Sequence, residues 1–221
     1  TGAPLYTGTD TLRSIESIRG THVADTYDAS GFSGFSLNAG SSGTQNEFEG
    51  MAGDDIVYGN GNTRLTFGLA REGVTVDLQA HFAMGGASVG TDNIVGGVTQ
   101  LRGSNFDDVL MGTNHGNTFA EVYEGRGGND TFSGRGGYDQ ARYDTESNQT
   151  GIVVDMDAIN AFTGTVTGSA GVGTDTLIDI PSVVGTFFDD YYDGSGYNSA
   201  VSGMGTFNEF INNHTYELYA Q

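Results

Sequence analysis

A chain of 221 residues with 28 acidic against 8 basic residues, net charge near −20, is excluded from direct binding to nucleic acid or an anionic membrane. Its 37 glycines against 2 prolines, without a three-residue period, exclude collagen and fit a turn-dense, short-stranded all-β architecture. The absence of cysteine excludes disulfides and a reactive thiol, and no apolar run approaches the ~18 residues of a membrane span. Every basic residue is Arg, and the excess of carboxylates means self-repulsion unless bound cations offset it. The chain opens on Thr1 without Met or a signal-like segment, and the expectation is a mature form or an excised fragment.

In chain order, Gly8-Thr9-Asp10 recurs at 90–92 and 173–175 and marks outer repeats of about 82 residues, approximately 8–89, 90–172 and 173–221. Each is followed by apolar residues three or four apart: Leu12, Ile15 and Ile18; Ile94, Val98 and Leu101; Leu177, Ile180 and Val183. That spacing fits a short amphipathic helix, or residues entering a core on either side of a corner. Acidic turns come next, Gly20 to Asp25, Gly103 to Asp108 and Gly185 to Asp190. Gly/Ser/Asn stretches of variable length at 29–40, 112–115 and 194–202 read as surface loops. Asn46-Glu47-Phe48 recurs as Asn208-Glu209-Phe210, with Glu121-Val122-Tyr123 between them. Val74 to Leu78 and Ile152 to Met156 alternate as strands with three apolar side chains on one face, and 79–89 and 157–172 read as loop-like linkers. The last repeat is truncated or degenerate: Asn212 to Ala220 has lost its glycines, and Glu217 and Tyr219 stand at the Asp and apolar positions. No segment is composed as a flexible tether, so one continuous domain over 1–221 is expected.

The densest signal is a tandem: Gly125-Arg-Gly-Gly-Asn-Asp-Thr-Phe-Ser133, then Gly134-Arg-Gly-Gly-Tyr-Asp-Gln-Ala-Arg142. Glycines allow positive φ, so carbonyls converge on one point; the Asp adds a carboxylate, and hard oxygens suit Ca²⁺. The triplet after the Asp is a very short strand with its middle side chain inward. The unit resembles the hemolysin-type calcium-binding nonapeptide, the RTX repeat, with Arg126 and Arg135 in place of its second glycine. The resemblance implies a right-handed parallel β-roll or β-helix solenoid whose glycine-rich turns hold several Ca²⁺ ions between stacked loops.

Carried over residue by residue, it implies calcium ligands at Asp130 and Asp139, with Gly128, Asn129 and Gly137 in the same turns. It implies the same at Asp55, with Gly53, in Gly50-Met-Ala-Gly-Asp-Asp. Asp108, Asp190 and Asp25 close the acidic turns and join the candidate ligands; their other reading is an Asx-turn that caps local N–H groups. In 59–67 Arg64 falls where Asp139 falls, and since a guanidinium cannot ligate a cation it is expected to pair with a carboxylate. Asn46, Asn208, Asn117 and Glu121 are expected to continue turns by side-chain hydrogen bonds rather than to complete metal sites.

Phe48, Phe132, Tyr123, Phe210 and Tyr192 read as core; Tyr138, Tyr143, Tyr191 and Tyr197 read as core or stacking-ladder residues, with an exposed, sugar-stacking ledge as the alternative. His22, His81, His115 and His214 lack zinc-motif spacing, and no nucleophile elbow or phosphate loop occurs. The acidic pairs Asp54-Asp55, Asp107-Asp108 and Asp189-Asp190 project to opposite faces of a strand, so no enzyme is expected. The expected function is a calcium-binding structural module that folds on Ca²⁺ outside the cell. The resemblance implies a place in a secreted or cell-surface bacterial protein: an S-layer, adhesin or type I-secreted exoprotein segment. Its expected partners are calcium, like protomers or surface glycans, without nucleic acid or a transmembrane segment. The alternative is a carbohydrate-binding or polysaccharide-modifying domain on a parallel β-helix, which calls for exposed tyrosines beside Arg102, Arg126, Arg135 or Arg142.

Overall fold

The computed structural model describes residues 15–32, 43–115, 120–145, 150–199 and 206–212. Gly8-Thr9-Asp10, Leu12, Asn117, His214, Glu217 and Tyr219 lie outside the described residues. Among the described residues there is no helix, hence none long and apolar enough to cross a membrane, and seventeen strands join in one mixed sheet.

The shortest strands follow directly from their sequences. In β8 (Val109–Met111), β10 (Thr131–Ser133) and β11 (Gln140–Arg142) the middle residue, Leu110, Phe132 or Ala141, is buried and its neighbours are half-buried. A strand's two-residue period imposes this pattern. Val74, Val76 and Leu78 around β5 (Thr75–Asp77) are likewise buried on one face. Ile152, Val154 and Met156 repeat the pattern at the start of β12 (Val153–Asn160).

Two ladders run through the sheet. The first passes from β2 (Thr26–Asp28) to the early part of β4 (Ile56–Thr66), the early part of β7 (Thr91–Arg102), β6 (Phe82–Met84), β5 and β8. It continues through β10, β14 (Thr174–Ile178), β13 (Thr163–Thr167) and β12 to β16 (Tyr191–Asp193). The second passes from β1 (Ser17–Arg19) to β3 (Asn46–Glu49), then the later parts of β4 and β7, β9 (Val122–Glu124), β11, β15 (Ser182–Val184) and β17 (Glu209–Ile211). Every pairing of the second ladder is parallel. The first is mixed, with antiparallel pairings of β5 with β6, β6 with β7, β12 with β13 and β13 with β14.

These antiparallel pairings correct the reading of 79–89 and 157–172 as linkers, since both are hairpins whose strands enter the sheet. Their backbones turn alike, with Gly90 N–H bonded to the Gly86 carbonyl and Gly173 N–H to the Ser169 carbonyl, and Val89 and Val172 are buried beneath. The short-helix reading is corrected too. Ile94 lies in the first ladder and Leu101 in the second, and β7 passes between them through Gly96 and Gly97, which take φ of 152° and 74°.

The core lies between the ladders, and aromatic pairs join them: Tyr27 on Phe48, Tyr123 on Phe132 and Tyr192 on Phe210, with ring centroids 4.8, 5.8 and 5.0 Å apart. Such stacking adds about 0.5–1.5 kcal/mol beyond the area each ring buries. Tyr143 and Tyr197 are buried, as a core role requires and an exposed sugar-stacking ledge does not; the Tyr143 hydroxyl donates to Asp175 Oδ2 at 2.9 Å.

The first glycine of each acidic turn is required sterically. A Cβ on Gly20, Gly50, Gly103, Gly125, Gly134 or Gly185 would collide with the carboxylate of Asp25, Asp55, Asp108, Asp130, Asp139 or Asp190, five residues on. Gly125→Ala is therefore expected to cost about 1–3 kcal/mol through overpacking. At this chain size that is roughly 2–4 °C in melting temperature for each kcal/mol. Gly31→Ala, whose Cβ meets nothing within 4 Å, should leave the thermal melt unchanged.

Candidate metal centre

The acidic turns stack on one another through their own carboxylates. The N–H of Asp25 donates to Asp55 Oδ1 (2.8 Å), and that of Asp55 to Asp92 Oδ1 (3.0 Å). Farther along the same ladder, Val74 N–H donates to Asp108 Oδ1 (2.7 Å), Asp108 N–H to Asp130 Oδ1 (2.8 Å) and Asp130 N–H to Asp175 Oδ1 (2.9 Å). One residue earlier in each turn a reciprocal set runs the other way. Thr91 N–H donates to Asp54 Oδ1, Asn129 N–H to Asp107 Oδ1 and Thr174 N–H to Asn129 Oδ1. The pairs Asp54-Asp55 and Asp107-Asp108 are thus clasps between stacked turns: the inner residue is buried, the outer one is exposed, and both accept an amide proton.

Asp92 and Asp175 are rungs of this stack that sequence reasoning left without a role, although both end the Gly-Thr-Asp that marks the outer repeat. The signal was the glycine ahead of them. Gly90 and Gly173 take φ of 92° and 79°, and a Cβ there would strike the carbonyl of Gly53 or Gly128 in the neighbouring turn.

The six turns fall into two chemical kinds. Where a hydroxyl residue follows the first glycine, the turn satisfies its own carboxylate. Thr21 N–H donates to Asp25 Oδ2, Ser104 N–H to Asp108 Oδ2 and Thr186 N–H to Asp190 Oδ2, and each hydroxyl donates to the same aspartate. Asp25, Asp108 and Asp190 therefore behave as turn caps in the protein itself. Where Met51, Arg126 or Arg135 follows the glycine, that residue takes the left-handed region, φ 72°, 77° and 66°, and Gly53, Gly128 and Gly137 two residues on have φ of 126°, 119° and 127°. Asp55 Oδ2 and Asp139 Oδ2 are buried with no hydrogen-bond partner.

Asp130 and Asp139, adjacent units in the sequence, are not brought together. Asp130 stacks with Asp108 and Asp175 in the first ladder, and Asp139 lies in the second, where its Oδ1 accepts the N–H of Glu121 at 3.2 Å. Glu121 is the acid of a seventh turn: Thr113 N–H and Oγ1 donate to its carboxylate at 2.8 and 2.9 Å, as Thr21 does for Asp25. The Tyr123 hydroxyl adds a third bond at 3.2 Å. His115, Glu121 and Asp139 each present a ligand atom, all within 4.8 Å of one another.

Asn46 and Asn208 hold the corresponding place in their repeats and accept the hydroxyls of Tyr27 and Tyr192, so the recurring Asn/Glu-x-aromatic triplet anchors a tyrosine. Arg64 pairs with Glu47 and Glu124, the latter at 3.2 Å. Its register, however, matches Gln100, Val122 and Gln140; Thr63 and not Arg64 stands at the rung.

Burial keeps the stacked acids from ionising easily. It pushes Asp92 and Asp175 up to about 7 and Asp108 up to about 6. Asp139 rises to about 8, through burial first and then the charge of Glu121. Asp55 is raised by burial, with Asp25 and Asp54 adding to it. Asp77 moves the other way, held down by the bidentate Arg135 guanidinium at 2.7 Å.

No protein-family model matches the chain, and no curated protein matches it.

The raised acids fix the sign of the pH dependence. Between the ordinary Asp value of 3.8 and about 8 the native state holds protons that the unfolded chain has released, so stability falls as pH rises. Each such group contributes up to about 1.4 kcal/mol per pH unit within its window. Chelator-treated protein should melt at a higher temperature at pH 5 than at pH 8, and Asp175→Asn should flatten the dependence. Asp77 contributes only below its ordinary value and leaves this window untouched. A melting temperature that climbs from pH 5 to pH 8 would contradict the assignment.

Proposed function

We propose that the chain is a cation-stabilised β-roll module of the RTX type, a structural segment of a secreted or cell-surface bacterial protein. The two ladders are the stacked coils of a right-handed solenoid, and the hairpins 79–89 and 157–172 are insertions that widen one face. The observation that carries the reading is the pair of buried carboxylate oxygens on Asp55 and Asp139 that the protein leaves without a hydrogen-bond partner. A buried, unpaired carboxylate is costly, and a cation is the partner that removes the cost.

Calcium fits the donor set at the Asp55 and Asp130 turns. It takes only hard oxygen ligands, and in each turn a carboxylate stands on a backbone whose left-handed residue and Gly53 or Gly128 allow main-chain carbonyls to converge. The side chain of Asn129 is committed to Thr174 N–H, so that residue offers its carbonyl. The Asp139 turn in the second ladder shares the left-handed backbone, with Gly137 at φ 127°, but not the same neighbours. When bound, calcium supplies positive charge between acids that otherwise repel. The protein's part is to hold those acids in register through the amide ladder and to keep water from them.

The role in the cell follows from the same energetics. At submicromolar Ca²⁺ and near-neutral pH the stacked acids oppose folding and shift the glycine-rich chain toward its unfolded state, a state suited to export. At millimolar Ca²⁺ outside, binding free energy becomes folding free energy. The carbohydrate reading has less support. Arg102 pairs with Glu124, Arg135 with Asp77 and Arg142 with Asp144, and the cleft lined by Arg102 and Arg126 has no tyrosine.

Titration of chelator-treated protein with Ca²⁺, followed by circular dichroism and calorimetry with Mg²⁺ as control, tests the reading. Several ions should bind, and stability should rise by about 2.7 kcal/mol per site at a hundredfold excess over Kd. Asp55→Asn and Asp130→Asn should each lower the stoichiometry. Asp190→Asn, whose carboxylate Thr186 already satisfies, should weaken the protein without changing the ion count. Unchanged stability and no uptake of calcium would overturn the proposal.

A further inference from the structure

The Asp139 turn differs from the other two left-handed turns in what faces its carboxylate. At Asp55 and Asp130 the stacked neighbours are aspartates and main-chain amides, with no imidazole among these contacts. At Asp139 a carboxylate oxygen, a Glu121 carboxylate oxygen and a His115 ring nitrogen lie within 4.8 Å of one another. Asp139 is fully buried, and its Oδ2 has no hydrogen-bond partner. Glu121 is 1 % exposed and held in place by Thr113 and Tyr123, the kind of outer-sphere support that fixes a metal ligand. Gly112 is needed for this, because a Cβ there would collide with both the Glu121 carboxylate and the Tyr123 hydroxyl.

We propose that His115, Glu121 and Asp139 form a binding site for one borderline divalent cation of the Zn²⁺ type, distinct from the calcium turns. An imidazole nitrogen with two carboxylates is a donor set for zinc and its neighbours, whereas calcium takes oxygen alone. A cleft of about 370 Å³ lined by Leu78, His81, Ile94, Thr113 and Glu121 lies against the Glu121 edge of the site. This site deepens the cation reading at one turn and stands whether or not calcium binds at Asp55 and Asp130.

The test is a titration of the full chain with Zn²⁺, and with Co²⁺ as a spectroscopic stand-in, in a constant millimolar background of Ca²⁺. One ion per chain should bind, with a Co²⁺ visible spectrum of mixed nitrogen and oxygen ligation. His115→Gln should weaken binding at least tenfold, while the exposed His22→Gln should leave it intact. Because Asp139→Asn also touches the turn stack, the ring ¹⁵N resonances of His115 provide a second readout, expected to shift on Zn²⁺ addition in the unmodified protein. Equal loss in His22→Gln, or His115 resonances that ignore Zn²⁺, would overturn the site. Zinc failing while Asp55→Asn still abolishes one calcium site refutes this inference alone. Zinc binding without any calcium uptake refutes the calcium reading alone.

Discussion

Burying a row of carboxylates is the constraint on which the rest of this protein depends. Beyond the first, each acidic turn places an aspartate where its Oδ1 accepts an amide proton from another stretch of chain, and in all six Oδ2 lies over the glycine five residues earlier. The glycine spacing, the three-residue strands and the left-handed residues all follow from that placement. One oxygen joins turn to turn. The other must be satisfied by the turn itself, through Thr21, Ser104 or Thr186, or by something the chain does not contain.

That division links stability to function. Hydroxyl turns hold the stack without help, and the left-handed turns make the stack conditional. With Asp92, Asp175 and Asp139 pushed up to about 7, 7 and 8 by burial, the metal-free protein is held together by protons at low pH and loses them near neutrality. In the proposed reading a cation would take the place of those protons, which would tie the fold to its ionic surroundings; the formal net charge of the chain, near −20, opposes self-association.

Much of this was legible in the sequence. The inward Leu110, Phe132 and Ala141, the core role of Phe48 and Tyr123, and the pairing of Arg64 with carboxylates all follow from local pattern. What could not be read was which turn stacks on which. Asp108 bonds with Asp130 across 22 residues, Glu121 with Asp139 across 18, and Asp130 with Asp175 across 45 because a hairpin intervenes. Adjacency in sequence therefore misled: the tandem Asp130 and Asp139 lie in different ladders, and Asp92 and Asp175 were missed because their turns lack the nonapeptide's glycines. The hairpins escaped notice because small residues such as Ala83 and Gly164 pack against neighbouring backbone in place of a visible apolar period. His115 was illegible as a ligand, since its partners Glu121 and Asp139 are met through stacking and not through spacing.

Native-state hydrogen exchange at the amides of Asp55, Asp108, Asp130 and Glu121 tests the carboxylate ladder most directly, because each of these protons is assigned to a side chain of the next turn. Protection equal to that of the flanking strand amides of Val109 and Thr131, lost at Asp108 when Asp130 is replaced by Ala, is the result the ladder requires. Exchange at the rate of exposed loop amides, or protection of Asp108 that is indifferent to residue 130, would mean that the turns are held by something other than their carboxylates.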